Sequence, residues 1–411
     1  MKMSSLILAA ACAILPVAAV SCATDEKSPE QNNVTEKASD KEKIEPEQGP
    51  SSKYGSDKIC AAYIAAWGVY DSTKKEYRAW TAADIDGTKL TDLILSFAEL
   101  DDTDHVSLLT EEVESYYKEV KTLVKKYPDL RVSVAIGGGS EGVADFKAMS
   151  AKEELRAKFV DNVKKLLENN TDLRGIDIDW EYPGKRLKAG SGSWKTEFNN
   201  YLSLLSELKT MMTELGSKNG NSYRLTTALP ADVTPLIENV AEIQKVCDGL
   251  NLMMYDYHGA WSETTGHNAP LDEIEDSLKR FLEAGASPDK IVLGIPFYGQ
   301  KWTGVAAGDN NDGLGSKVTP NKNGYDYGIQ YPEVVKLLAN KNYKTYWDDE
   351  AKAPYAYSAK DKVFISYTDE KQIGFATQLV RENKLSGTMT WEYGQDMSKT
   401  LLNAMYKGVF E

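Results

Sequence analysis

Eight short apolar runs, separated by stretches of helical periodicity, constrain this chain more than any other feature. They are ICAAYIAAW (59–67), LTDLILSFAEL (90–100), RVSVAIGG (131–138), GIDIDWEY (175–182), RLTTALP (224–230), LNLMMYDYHG (250–259), KIVLGIPFYG (290–299) and SGTMTWEYG (386–394). Several are almost continuously apolar, which suits parallel strands covered on both faces. Between them, Phe198, Tyr201, Leu202, Leu205, Leu208 and Met212 recur at helical spacing, as do Leu271, Ile274, Leu278, Phe281 and Leu282. Each set makes one apolar helix face, and Gly285 and Pro288 close the second helix. The amphipathic stretch from Glu111 to Lys126 reads as one further helix. Eight strand–helix units predict an α/β fold, a (β/α)8 TIM barrel, over residues 58–411. A doubly wound open sheet is the alternative, but no Gly-rich nucleotide fingerprint follows the first run.

The interval between the seventh and eighth runs is too long for one helix. Its residues 300–363 are rich in Tyr, Trp, Gly, Asn and Asp and run into an alternating piece, KVFISY (362–367). They are expected to form a small α+β insertion, followed by a last helix over 369–383.

The N-terminus is expected to be an address. Met1-Lys2 precedes an apolar run from Leu6 to Val20, the pattern of a signal peptide over 1–21 and too short for a confident membrane span. The run closes on Val20-Ser21-Cys22, which resembles a bacterial lipobox, although Ala19 stands where Leu is usual. Cys22 is then the expected lipidation site. Residues 22–57 carry almost no large apolar side chains and are expected to be a flexible tether. An exported protein anchored in the bacterial cell envelope, facing the periplasm or the exterior, is the resulting expectation. The remaining cysteines, Cys60 and Cys247, fall on different strands and are expected to be small core residues without a disulfide.

The formal net charge of −14 argues against nucleic acid as a partner, since phosphate binding needs a concentrated basic surface. Three histidines and four cysteines, with no CxxC pair, leave little material for a zinc site. No cofactor is expected, and the chain is expected to be a monomer.

The chemistry concentrates in the fourth run. Side chains alternate along a strand, so Asp177, Asp179 and Glu181 share one face, while Ile176, Ile178 and Trp180 share the other. If the apolar face packs under the helices, three carboxylates enter the barrel. Burial and mutual repulsion then raise some of their pKa values, and a carboxyl kept protonated is what a general acid requires. Glu181 comes last and lies nearest the C-terminal face, where barrel active sites sit. A divalent-metal site is the other chemistry such acids support.

IDIDWEYPG (176–184) resembles the DxxDxDxE signature of glycoside hydrolase family 18, which includes many chitinases. AIGGGS (135–140) resembles the family's SxGG motif, LMMYDYHGAW (252–261) its M-x-Y-D motif and GTMTWEYGQD (387–396) its eighth strand. WDDEAKAPYAY (347–357) and KVFISYTDEKQI (362–373) resemble the chitinase insertion domain. The resemblance implies a general acid at Glu181 and an acetamido-orienting carboxylate at Asp179, with Asp177 as its proton-sharing partner. It also implies a phenol at Tyr255 that bonds the acetamido oxygen. Asp256 and Met253 fall beside that pocket, and Trp391 is the implied indole floor under the sugar. The implied partner is an N-acetylglucosamine-containing glycan, chitin or a chitooligosaccharide.

Gly138, Gly139, Trp67, Tyr182, Tyr298 and Trp302 are further cleft candidates, of which about half are expected to be core or support. His258 is expected to be a packed loop residue. Four positions depart from the family pattern: Arg174 replaces the signature's first Asp, Ala135 the Ser of SxGG, Gly139 a frequent Trp, and Gln300 an Arg common in animal chitinases. Two alternatives share the resemblance. One is an endo-β-N-acetylglucosaminidase acting on N-glycan cores, against which Trp180 and the insertion speak. The other is a catalytically silent sugar-binding protein, which the three retained carboxylates disfavour.

Overall fold

The eight predicted runs become eight parallel strands that close on themselves. The computed structural model describes residues 44–55, 57–71, 73–101, 104–139, 143–184, 192–320 and 328–411. The strands are β1 (Ile59–Ala65), β2 (Asp92–Leu100), β3 (Arg131–Gly138), β4 (Leu173–Trp180), β5 (Arg224–Pro230), β6 (Gly249–Met253), β7 (Ile291–Pro296) and β8 (Gly387–Trp391). Each pairs with the next, and β1 pairs with both β2 (Ala61 opposite Asp92) and β8 (Ile59 opposite Gly387). A Cβ on Gly387 would sit 1.9 Å from the Ile59 carbonyl oxygen, so the closing seam admits only glycine there. The fold is the expected (β/α)8 TIM barrel, and the open-sheet alternative is excluded.

Alternation divides the core into two layers. Cys60, Ala62 and Ile64 of β1, Ile176, Ile178 and Trp180 of β4, and Leu250 and Leu252 of β6 face outward into the large core under the helices. Ile59, Ala61, Tyr63, Ile94, Ala135, Val292 and Met389 face inward and fill the barrel. The helix Leu271–Glu283 buries Leu271, Ile274, Leu278 and Phe281, the spacing read from sequence, with Asp272 and Glu273 at its positive end. The helix Glu370–Glu382 is capped by Asp369, whose side chain accepts the Gln372 N–H.

Several details correct the sequence reading. The stretch 111–126 is two helices, Glu111–Ser115 and Tyr117–Lys126. The chain breaks at Tyr116, whose ring stacks on Trp80 at 4.2 Å. The insertion is a five-stranded antiparallel sheet with a helix at Tyr331–Leu338, and its strands run from Tyr298 to Ser366, slightly wider than 300–363. Residues 1–43, hence the expected signal peptide, Cys22 and most of the tether, lie outside the described residues. The last part of the expected tether is seated on the barrel: the Glu47 N–H donates to the Lys126 carbonyl, and residues 50–54 form a helical turn. Cys60 and Cys247 are free and buried.

Candidate active site

Because Ile176, Ile178 and Trp180 are held outward, with Trp180 stacked on Phe146 at 5.4 Å, Asp177 and Asp179 must point into the barrel. Both are buried, whereas Glu181, one residue beyond β4, is half-buried at the rim. The close approach of β3 beside them depends on Gly137 (φ 118°), where a Cβ would lie 2.1 Å from the Asp179 carbonyl oxygen. A Cβ on Gly139 would lie 3.2 Å from Glu181 Oε1, and one on Gly138 would strike the Phe97 ring.

Asp177 is held by neutral donors from three other strands. Tyr63 of β1 donates to Oδ2 at 2.8 Å, Thr226 of β5 to Oδ1 at 2.5 Å and Asn251 of β6 to Oδ1 at 3.1 Å. Asn251 also donates to the Tyr63 hydroxyl at 2.9 Å. Burial lifts the Asp177 carboxyl above the ordinary carboxylate range, and the three donors only partly oppose it. Ala135 sits opposite Asp177 on β3, where the family motif has a hydroxyl. On the other side Thr226, in register on β5, supplies one.

Asp179 is less well supported. Its Oδ1 is buried without a hydrogen-bond partner. Burial, then the charges of Glu181 and Asp177, push its carboxyl well above the usual range. Asp177 and Asp179 are therefore both shifted toward the protonated form, and as neighbouring carboxyls they titrate as a set rather than as single residues.

The rest of the pocket assembles at the strand ends. Met253, Tyr255, Phe97 and Trp391 pack onto the inner cluster. The Tyr255 phenol is pushed well up by burial and then by the charge of Asp179. Trp391 stacks on Phe97 at 5.4 Å and meets Tyr63 and Trp67 at 5.8 and 6.2 Å. Trp67 is 45% exposed. Half-buried Tyr182 is raised by burial and then by Glu181. Asp256 sits at φ 63°, and its Oδ1 accepts the Tyr298 hydroxyl at 2.5 Å and Gln300 Nε2 at 3.0 Å.

Two cleft candidates are elsewhere. Trp302 packs inside the insertion with Val305, Tyr355, Tyr357 and Phe364. Tyr298 is almost wholly buried and commits its hydroxyl to Asp256, so it supports the pocket rather than lining it. Arg174 is turned away from the carboxylates, donating to the Thr171 and Leu173 carbonyls. His258 lines a separate cavity of about 290 Å³ with His267, Asp272, Glu273 and Asp348. Among the described residues no group of three or more His, Cys, Asp and Glu side chains is arranged to hold a metal ion.

Tyr63, Thr226, Asn251 and Phe97 escaped the sequence reading. Asn251 and Thr226 each carry a signal in hindsight, since each is a polar residue on the inward face of an apolar strand.

Comparison with known proteins agrees with this geometry. The family model described as glycosyl hydrolases family 18 matches residues 59–396. Chitinase A1 of Niallia circulans is 32% identical over 311 residues, 70% of this chain and 44% of the relative. Probable chitinase 2 of Drosophila melanogaster is 30% identical over 368 residues, 83% of this chain and 72% of the relative. The chain thus spans less than half of the first of these proteins and about three quarters of the second. A GH18 chitinase of Cycas revoluta, solved in complex with (GlcNAc)3, superposes with a TM-score of 0.73 at 25% identity, covering 85% of this chain and 99% of that one. With two inward acids on β4, a third just past its end at the rim, and a family match running from β1 past β8, this chain belongs to glycosyl hydrolase family 18.

Proposed function

We propose that the protein is a retaining glycosidase that cleaves β-1,4 bonds next to N-acetylglucosamine, in chitin or chitooligosaccharides. One observation carries the reading: along β4 and just past its end the carboxyls pass from buried and hydrogen-bonded (Asp177), through buried with Oδ1 unpartnered (Asp179), to half-buried at the rim (Glu181). Glu181 is the only one of the three at the rim, where a scissile oxygen arrives, and it donates its proton as that bond breaks. The substrate's own acetamido oxygen attacks C1, forming an oxazolinium ion, so no second carboxylate nucleophile is required. Asp179 accepts the acetamido N–H. As positive charge develops, the proton it shares passes to Asp177, leaving Asp179 anionic beside the ring. Water then attacks C1 on the face the leaving group left, giving a proton back to Glu181 and retaining configuration. Tyr255 donates to the acetamido oxygen, and Trp391 offers an aromatic face to the apolar face of the sugar.

The test is hydrolysis of a fluorogenic chitobioside by the wild-type protein and by Glu181→Gln. Turnover that collapses in the variant supports the reading. Oligosaccharide binding without turnover in either protein overturns it in favour of a silent sugar-binding protein. Release of glycans from a glycoprotein, with chitooligosaccharides untouched, overturns the substrate assignment. We further place the protein at the bacterial envelope through a lipid on Cys22. Incorporation of an alkyne-tagged fatty acid that is lost in Cys22→Ser tests this.

A further inference from the structure

The turn after β6 must present Tyr255 and Asp256 to the acetamido pocket, yet its backbone leaves the sheet there. β6 ends at Met253, and Asp256 adopts a left-handed conformation at φ 63°, a region that aspartate enters more readily than most residues other than glycine and that turns its N–H out of the strand ladder. The N–H groups of Asp256 and Tyr257 find no strand partner and have to be satisfied some other way. Both are taken by one residue. Asn268 Oδ1 accepts the Asp256 N–H at 3.0 Å, and the Asn268 carbonyl accepts the Tyr257 N–H at 3.0 Å.

Asn268 is itself fixed from outside the barrel. It is 1% exposed. Its N–H donates to Ser366 Oγ of the insertion at 2.8 Å, and Nδ2 points to the Tyr298 carbonyl at 3.4 Å. The whole segment around it is a strap between barrel and insertion. Thr265 bonds the Gly313 carbonyl and the Ser316 N–H, His267 Nε2 meets Asp348 Oδ2 at 3.1 Å, and Gln372 bonds the Ala269 carbonyl. Asp256 is thus gripped twice, its carboxylate by Tyr298 and Gln300 and its backbone by Asn268.

We propose that Asn268 is a positioning residue of the N-acetyl pocket, fixing the Tyr255–Asp256 turn so that the phenol and the carboxylate meet the acetamido group in the transition state. It touches no reacting atom and acts through the backbone of Asp256. The inference rests on the function proposed above.

The experiment measures kcat and KM on chitooligosaccharides, together with the melting temperature, for wild type, Asn268→Ala, Asn268→Asp and Thr265→Val. Thr265→Val removes strap bonds to the insertion without touching Asn268 or Asp256. The expected result is a fall in kcat of tenfold or more in Asn268→Ala, with KM changed less than threefold. Asn268→Asp keeps an oxygen where the Asp256 N–H needs one and is expected to recover kcat to within threefold of wild type. Thr265→Val is expected to lose melting temperature but less than twofold in kcat. Asn268→Ala within twofold of wild type overturns the inference. So does a kcat loss in Thr265→Val as large as that in Asn268→Ala, because strap stability would then explain both. If Asn268→Ala does not fold, Asn268→Asp decides, with a tenfold loss in kcat counting against. A wild-type protein that cleaves no N-acetylglucosamine oligomer overturns the functional reading and this inference with it. Wild-type turnover with an unmoved Asn268→Ala overturns the inference alone.

Discussion

Asp92 and Asp179 are both buried carboxylates inside one barrel, yet their acidities move in opposite directions. Asp92 opens β2 at the N-terminal end. Burial there would raise its pKa, but Arg131 grips it at 2.8 and 2.7 Å and Arg224 stands 4.0 Å away. The net shift is downward. Asp179 near the C-terminal end has carboxylates for neighbours and no cation paired with it among the described residues, and its shift is strongly upward. The two ends share a scaffold and a depth of burial. What differs is the sign of the charge placed alongside. One end completes its ion pair and stabilises the barrel. The other keeps a carboxylate set electrostatically unsatisfied, which is of use only to a ligand that arrives later.

This contrast can be broken from either end. Glu181→Gln removes the proposed proton donor and nothing from the core. Its kcat is expected to fall about 10²–10⁴-fold, with a melting temperature like that of wild type, as steady-state kinetics and calorimetry would report. Asp92→Ala leaves Arg131 and Arg224 without their buried partner. It is expected to cost about 3–5 kcal/mol in denaturant unfolding while leaving kcat per folded molecule unchanged. Equal damage to activity would mean that the two ends are coupled.

Titration should separate the ends next. A carboxyl whose folded pKa is raised stabilises the fold below its unfolded pKa, and that contribution is lost as pH rises through the folded pKa. Asp179 behaves this way. So does Glu392, which is wholly buried beside Trp391 and pushed by burial from 4.5 to about 7. Between pH 4.5 and 7 Glu392 alone is expected to remove on the order of 3 kcal/mol. Asp92, with its depressed pKa, loses its contribution only as pH falls below about 4. Melting temperature against pH should therefore fall toward alkaline pH in wild type. The slope should flatten in Asp179→Asn and Glu392→Gln, and Asp179→Asn should melt higher than wild type at pH 8 while losing activity. An unchanged slope would place the raised pKa values elsewhere. The smallest effect belongs to the rim: Trp67→Ala is expected to raise KM about three- to fivefold, near 1 kcal/mol of aromatic contact, with stability untouched.

Much of this was legible in the sequence because alternation is a local property. Asp177, Asp179 and Glu181 lie on one strand, so their common face follows from counting, and the eight strands follow from apolar runs of the right length. What was not legible comes from register. Tyr63, Thr226 and Asn251 lie on three strands and converge on Asp177 only once those strands are aligned. The same holds for Arg131 and Arg224 around Asp92. Tyr298 and Trp302 misled because the end of a strand says where a residue is and not which way the chain turns after it.

The closing seam has a consequence in time. β1 is made first and β8 almost last, and their ends are tied by contacts such as Lys58 Nζ to the Leu385 carbonyl, 327 residues apart. Such distant pairings are slow to form, because chain entropy is spent before the contact rewards it. Trp67 comes from the start of this interval and Trp391 from its end, and they meet only when the ring closes. A nascent or truncated chain can therefore carry Asp177, Asp179 and Glu181 and still lack the Trp67–Trp391 contact, so this side of the cleft waits for the ring to close.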